Sequence, residues 1–168
     1  MKTFNKNRQL KQFCTFRIDQ KLFGVNITDV KEIQPSVKLT PVFHAFEEVR
    51  GFVNIRGQIH LVIDLRVLLG FESAEIGKLS RIVLFKPHVG ESFGVLVDDV
   101  GDVVETDETR IENMGDQNRK TNDESMRELS DLIMGNCKLE NRILIILDSA
   151  LLLKKIQKKH EMSDMMVL

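Results

Sequence analysis

The feature that most constrains the fold of this chain is that it repeats itself. Shifted by 70 residues, "FGVNITDVKEI" (23–33) lies over "FGVLVDDVGDV" (93–103), with Phe, Gly, Val, Asp and Val coinciding. Shifted by 84, "GFVNIRGQIHLVIDL" (51–65) lies over "GNCKLENRILIILDS" (135–149), matching Gly51 to Gly135, Ile59 to Ile143 and Asp64 to Asp148. Leu68-Leu69 then fall on Leu152-Leu153. Two matches in the same order indicate a duplicated unit. The first half runs over about 12–70 and the second over about 80–155. Fourteen extra residues in the second half fall in the polar stretch 111–131, which reads as a loop with a short helix near its end.

Alternation defines the elements of each copy. Cys14, Phe16 and Ile18 alternate with Thr15 and Arg17 as a strand does, and Asp19-Gln20-Lys21 turns the chain back along Leu22–Ile27. Thr28 is expected to cap a short helix on which Val30 and Ile33 share a face, ended by Pro35. The stretch 51–64 reads as a hairpin with Arg56 and Gly57 at its tip. Asp64 caps a helical turn closed by Gly70. In the second copy the strands fall at 81–85, 93–97, 135–139 and 142–147, and Asp148 caps a helix from Ser149 to about His160. Short strands with tight turns indicate an all-β chain with short helices. A barrel of about 60 residues is marginal alone, so two packed together stabilise each other and leave a groove between them. Whether the halves exchange strands is open from the sequence.

Little catalytic chemistry is visible. "GESFG" (90–94) has the Gly-x-Ser-x-Gly form, which would make Ser92 the nucleophile of a small hydrolase. That motif needs a strand-to-helix elbow, whereas the repeat places Ser92 opposite Leu22 at the entry to a returning strand. "GFESAEIGKLS" (70–80) has the wrong spacing for a phosphate loop, and Leu79 stands where a hydroxyl is required. His44, His60, His88 and His160 lack ligand spacing, and Asp98, Asp99 and Asp102 lack the pattern of a cation loop, so no metal or cofactor is expected.

Binding of single-stranded nucleic acid, the other alternative, would use exposed aromatics beside basic residues. All ten aromatics are Phe, mostly at strand positions, and the net charge is −1. The cluster Lys154, Lys155, Lys158 and Lys159 reads as a solvated helix face. Cys14 and Cys137 read as buried thiols in a reducing compartment. The N-terminus lacks the apolar run of a signal peptide, and Ile143–Leu147 is too short to span a bilayer, so a cytoplasmic location without membrane insertion is expected.

"VRGFVNIRGQIHLVIDLR" (49–66) resembles the signature of the CheW-like domain, and "FGVLVDDVGDVVE" (93–105) resembles its second recurring motif. "FGVNITDVKEI", Thr40-Pro41 and "RILIILD" follow in the family's order, so the resemblance spans a single domain at about 12–155, with 1–11 and 161–168 as tails. It implies two small five-stranded, SH3-like β-barrels packed together and a C-terminal helix. It also implies no enzymatic activity. In the two-component systems of bacterial chemotaxis, the stand-alone form is a scaffold joining transmembrane chemoreceptors to the histidine kinase CheA. It binds the receptors' cytoplasmic tip in the groove between barrels and docks on the kinase's regulatory domain. It is a cytoplasmic protein recruited to membrane-associated arrays. The stand-alone form is expected here, because few residues follow the last helix and no receiver domain fits.

Matched motif by motif, the resemblance implies that Val30, Glu32, Ile33, Val100 and Val103 line the receptor groove. Arg56 and Gly57 would meet a partner, a role suited to a planar, permanently charged guanidinium. Gly51, Asp64, Gly94, Gly135 and Asp148 would be structural. The chain departs from the family at His60, where proline is usual, and at Phe43, where a second proline is common after Pro41.

Overall fold

The computed structural model describes residues 8–35, 38–114 and 129–166. Eleven strands form two sheets in this region. In chain order they are β1 (Leu10–Ile18), β2 (Lys21–Asn26), β3 (Val30–Pro35), β4 (Val49–Ile55), β5 (Gln58–Asp64), β6 (Arg81–Phe85) and β7 (Phe93–Val97), followed by β8 (Asp99–Asp107), β9 (Ile111–Asn113), β10 (Ile133–Lys138) and β11 (Ile143–Leu147). Helix α1 (Leu65–Leu68) follows β5, and helix α2 (Ser149–Met166) ends the described chain, continuing past His160. Of the polar stretch 111–131, residues 111–113 are β9 and 129–131 are helical; 115–128 lie outside the described residues.

The strand orders are β8-β1-β2-β11-β10-β9 and β3-β6-β7-β5-β4. By the two sequence shifts, β3, β6, β7, β5 and β4 correspond to β8, β1, β2, β11 and β10. The second sheet therefore reproduces five of the six strands of the first in the same order, and β9 has no counterpart. The halves do exchange strands: each sheet takes the first hairpin of one half and completes it with strands of the other, four in the six-stranded sheet and three in the five-stranded one. The joins are the parallel pairs β2–β11 and β5–β7. In the six-stranded sheet the two edges, β8 and β9, are one run of chain bent at the 3-10 turn Glu108–Arg110.

Three apolar clusters follow from this layering. The largest lies between the sheets and joins Phe16, Phe23 and Val25 to Ile63, Val83, Phe93 and Val95, sealed by Leu65 and Leu68 of α1 and Leu152 and Ile156 of α2. A second, on the far face of the six-stranded sheet, contains Phe13, Leu22, Cys137, Leu144 and Ile146. The third, on the far face of the other sheet, contains Val53, Val62, Ile82, Leu84 and Leu96. Strands buried on both faces read as unbroken apolar runs, which is why "RIVLF" and "FGVLV" hardly alternate.

Local chemistry sets the turns. Asp19 and Gln20 both have positive φ, the two-residue geometry that matches strand twist. Asp64 Oδ1 accepts from the N–H groups of Arg66 and Val67, capping α1, and Asp148 Oδ1 accepts from Ala150 N–H to start α2. A Cβ on Gly51 would lie 2.4 Å from the Thr40 carbonyl oxygen, and one on Gly135 would lie 2.6 Å from that of Glu112. Matched glycines therefore admit a neighbouring backbone in both copies. Gly94 is pressed in the same way against the Val83 carbonyl.

Candidate protein-docking site

One expectation is overturned at the start of the site. Thr28 does not cap a helix. Asn26 Oδ1 accepts from Thr28 N–H over a three-residue 3-10 turn, Ile27–Asp29, and Val30–Pro35 is a strand. The apolar residues three apart nevertheless share a face, and a bulge is the reason. Val30 pairs with Phe85 and Ile33 with Val83, so two residues, Lys31 and Glu32, stand against the single Leu84. Phe85 and Val83 lie on one side of β6, and cross-strand partners project to the same side.

The other copy does the same. Val100 pairs with Phe16 and Val103 with Cys14, while Gly101 and Asp102 stand against Thr15 alone. The Thr15 hydroxyl, otherwise buried, donates to the Asp102 carbonyl at 2.6 Å. Val30 and Val100 pack against the central cluster between the sheets. Ile33 and Val103 are 39% and 53% exposed, so each bulged strand turns one aliphatic residue to solvent beside a valine that packs on the core.

Glu32 sits within its bulge. Gln34 Nε2 donates to its Oε1 at 2.8 Å, and Arg56 Nη1 donates to Oε2 at 3.0 Å. The Gln34 hydrogen bond, helped by Arg56, holds the Glu32 carboxyl below its ordinary range. The Arg56 contact joins the two ends of a sheet. From β3 to the β4–β5 tip there are three to four strand spacings, roughly 14–19 Å in a flat sheet. The five-stranded sheet must curl for the pair to form. Arg56 and Gly57 both have positive φ, and Gly57 N–H donates to Asn54 Oδ1 at 2.9 Å. This turn lifts the Arg56 side chain to 77% exposure while one nitrogen stays on Glu32.

Sequence reasoning placed Glu32 and Arg56 on separate surfaces, and the fold makes them one. It also missed two arginines. Arg50 bridges buried Asp64 to Ser73 Oγ and the Ala74 carbonyl, fastening the linker between halves. Arg66 reaches Asp98 and Asp19. No local signal marks these pairs, because their partners lie far along the chain.

The competing readings lack their geometry. Ser92 enters β7 from a turn, with positive φ, and bonds to Gln58 Nε2, while His160 lies on α2 against Phe46 and Asp164. Phe13, Phe16, Phe23, Phe85 and Phe93 are buried rather than offered to bases. Lys159 is engaged with Glu48 and lies over the Phe46 ring. Both cysteines are free and buried, and burial pushes the Cys14 thiol up. Among the described residues no helix is long and apolar enough to cross a membrane.

The description "CheW-like domain" matches residues 12–157. The chain belongs to the CheW-like domain family. Within it, the chain is 29% identical over 154 residues to "Chemotaxis protein CheW" of Bacillus subtilis (strain 168), covering 92% of this chain and 94% of that one. It is 27% identical to the protein of the same name from Thermotoga maritima, over 89% of this chain and 93% of that one. The crystal structure of scaffolding protein TtCheW from Thermoanaerobacter tengcongensis superposes with a TM-score of 0.70 at 29% identity, over 83% of this chain and 90% of that one. These CheW-like relatives identify a non-enzymatic scaffold, and the two-sheet fold with its C-terminal helix matches the TtCheW structure.

Proposed function

We propose that this chain is the adaptor of a chemotaxis system, joining the cytoplasmic tips of chemoreceptors to the regulatory domain of a CheA-type kinase at membrane-associated arrays. The observation that carries this reading is the matched pair of bulged strands. Each packs one half-buried valine against the core and offers one aliphatic residue, Ile33 or Val103, at the margin between the sheets. A helical tip with apolar residues at i and i+3 or i+4 suits such a margin, as in other helix-in-groove complexes. Val30, Glu32, Ile33, Val100 and Val103 form this receptor surface, while Arg56 on its Gly57 turn presents the kinase or receptor with donors left over from the Glu32 contact.

Calorimetric titration tests it. The protein should bind the receptor tip and the kinase regulatory domain saturably, at about micromolar Kd, as transient docking surfaces do. Ile33→Asp and Val103→Asp, both on exposed side chains, should weaken the receptor complex at least tenfold while keeping the wild-type amide spectrum. A folded wild type that binds neither partner would leave only the family and the fold standing.

A further inference from the structure

The geometry points to Arg66 as a positioning residue for β8, holding Val100 and Val103 in place for a partner; the inference rests on reading β3 and β8 as docking strands. β8 is an edge strand. It pairs with β1 on one side and is interrupted by its bulge at 101–102. Such a strand has little of its own to keep it in one conformation.

Two fastenings bracket Val100. After it comes the Thr15 hydroxyl on the Asp102 carbonyl. Before it comes Asp98, the residue at which the chain leaves the five-stranded sheet and enters the six-stranded one. Asp98 Oδ2 takes Arg66 Nη1 and also the Asp19 N–H at 3.0 Å. Arg66 Nη2 stands 3.5 Å from Asp19 Oδ1, and its Nε donates to the Glu72 carbonyl at 2.9 Å. All three nitrogens of the fork are engaged, on a side chain only 17% exposed, so screening by salt is limited.

The repeat shows that this clasp is particular to β8. Arg66 falls on Ala150 and Asp98 on Thr28, so β3 has no counterpart. β3 is gripped instead by Arg56 on Glu32. The segment from Arg56 to Arg66 therefore carries an arginine at each end, one holding an acid in β3 and the other an acid at the start of β8. Fixing β8 before the partner arrives removes part of the ordering cost of binding.

The test compares wild type, Arg66→Met, Arg66→Lys and Asp98→Asn by amide hydrogen exchange, thermal midpoint and titration with the receptor tip. Arg66→Met should speed exchange several-fold over 99–103 and leave β2, β7 and β11 as they were. It should also raise the Kd for the tip roughly three- to tenfold. Arg66→Lys should recover part of both effects, and Asp98→Asn should reproduce the loss from the other partner. Unchanged exchange in β8, or unchanged affinity despite faster exchange, overturns the proposal. So does faster exchange throughout the chain in both Arg66→Met and Asp98→Asn, which would make the clasp a general stabiliser. A wild type that does not bind the tip defeats the docking reading itself, a result told apart from the others because β8 exchange is measured without a partner.

Discussion

Arg56 Nη1 lies 3.0 Å from Glu32 Oε2, joining residues 24 positions apart, one on edge strand β3 and the other at the tip of the β4–β5 hairpin at the far end of the sheet's order. The pair is exposed, and exposed pairs add little to stability. Its worth is in placement: it ties the tip of the β4–β5 hairpin to the bulge that presents Ile33.

Arg56→Glu should therefore weaken binding of the kinase regulatory domain or receptor tip about tenfold or more. The thermal midpoint should stay within about 3 °C, because surface substitutions change stability little. The double variant Arg56→Glu with Glu32→Arg can form the pair again with its charges exchanged. It should recover any lost thermal stability without recovering affinity. Recovery of affinity would mean that the contact serves the fold of this edge and not the partner.

His60 gives a pH prediction. It is buried in β5, its Nδ1 has no hydrogen-bond partner, and desolvation, with a contribution from Lys31, lowers its pKa. The unfolded chain then binds a proton that the folded one resists, so stability falls as pH drops below the ordinary histidine value of about 6.5. The repeat places Leu144, also fully buried, at the matching position. His60→Leu should flatten the decline in thermal midpoint between about pH 7.5 and 5.5, measured by scanning calorimetry. An identical slope in the variant would assign the pH dependence elsewhere.

Two glycines in one hairpin should behave differently. Gly51→Ala meets both a left-handed backbone and the Thr40 carbonyl, and should cost about 2–4 kcal/mol in urea unfolding. Gly57→Ala has open space around it and should cost only the left-handed penalty, about 1–2 kcal/mol. Equal losses would mean that the hairpin moves away from Thr40 to make room.

Eight of the eleven strands, the caps at Asp64 and Asp148 and the hairpin tip were legible in the sequence, because alternation, capping and turn chemistry are local; β8 and β9 were not read as strands. β3 was misread for an equally local reason. A two-for-one bulge converts the two-residue period of a strand into a three-residue spacing, and Val30 and Ile33 then imitate a helix face. The face was right and the backbone wrong. The Glu32–Arg56 and Arg66–Asp98 contacts were out of reach, since they exist only once the sheets have curled and crossed. Strand exchange was hidden too, because a repeat reports which segments resemble each other and not which ones pair.

That exchange has a consequence for what half of this molecule could be. A chain ending in the linker would carry β1 to β5 and α1, a first hairpin and three strands that belong to different sheets. Its open edges could be satisfied only by a second such chain, each lending its hairpin to the other. The protein is in this sense a swapped dimer written as a single polypeptide, with residues 70–80 as the tether. Once tethered, the two copies no longer had to remain alike. The last helix of one copy is long where the other has a single turn, and Arg66 of one falls on Ala150 of the other, so a two-fold object has two different ends.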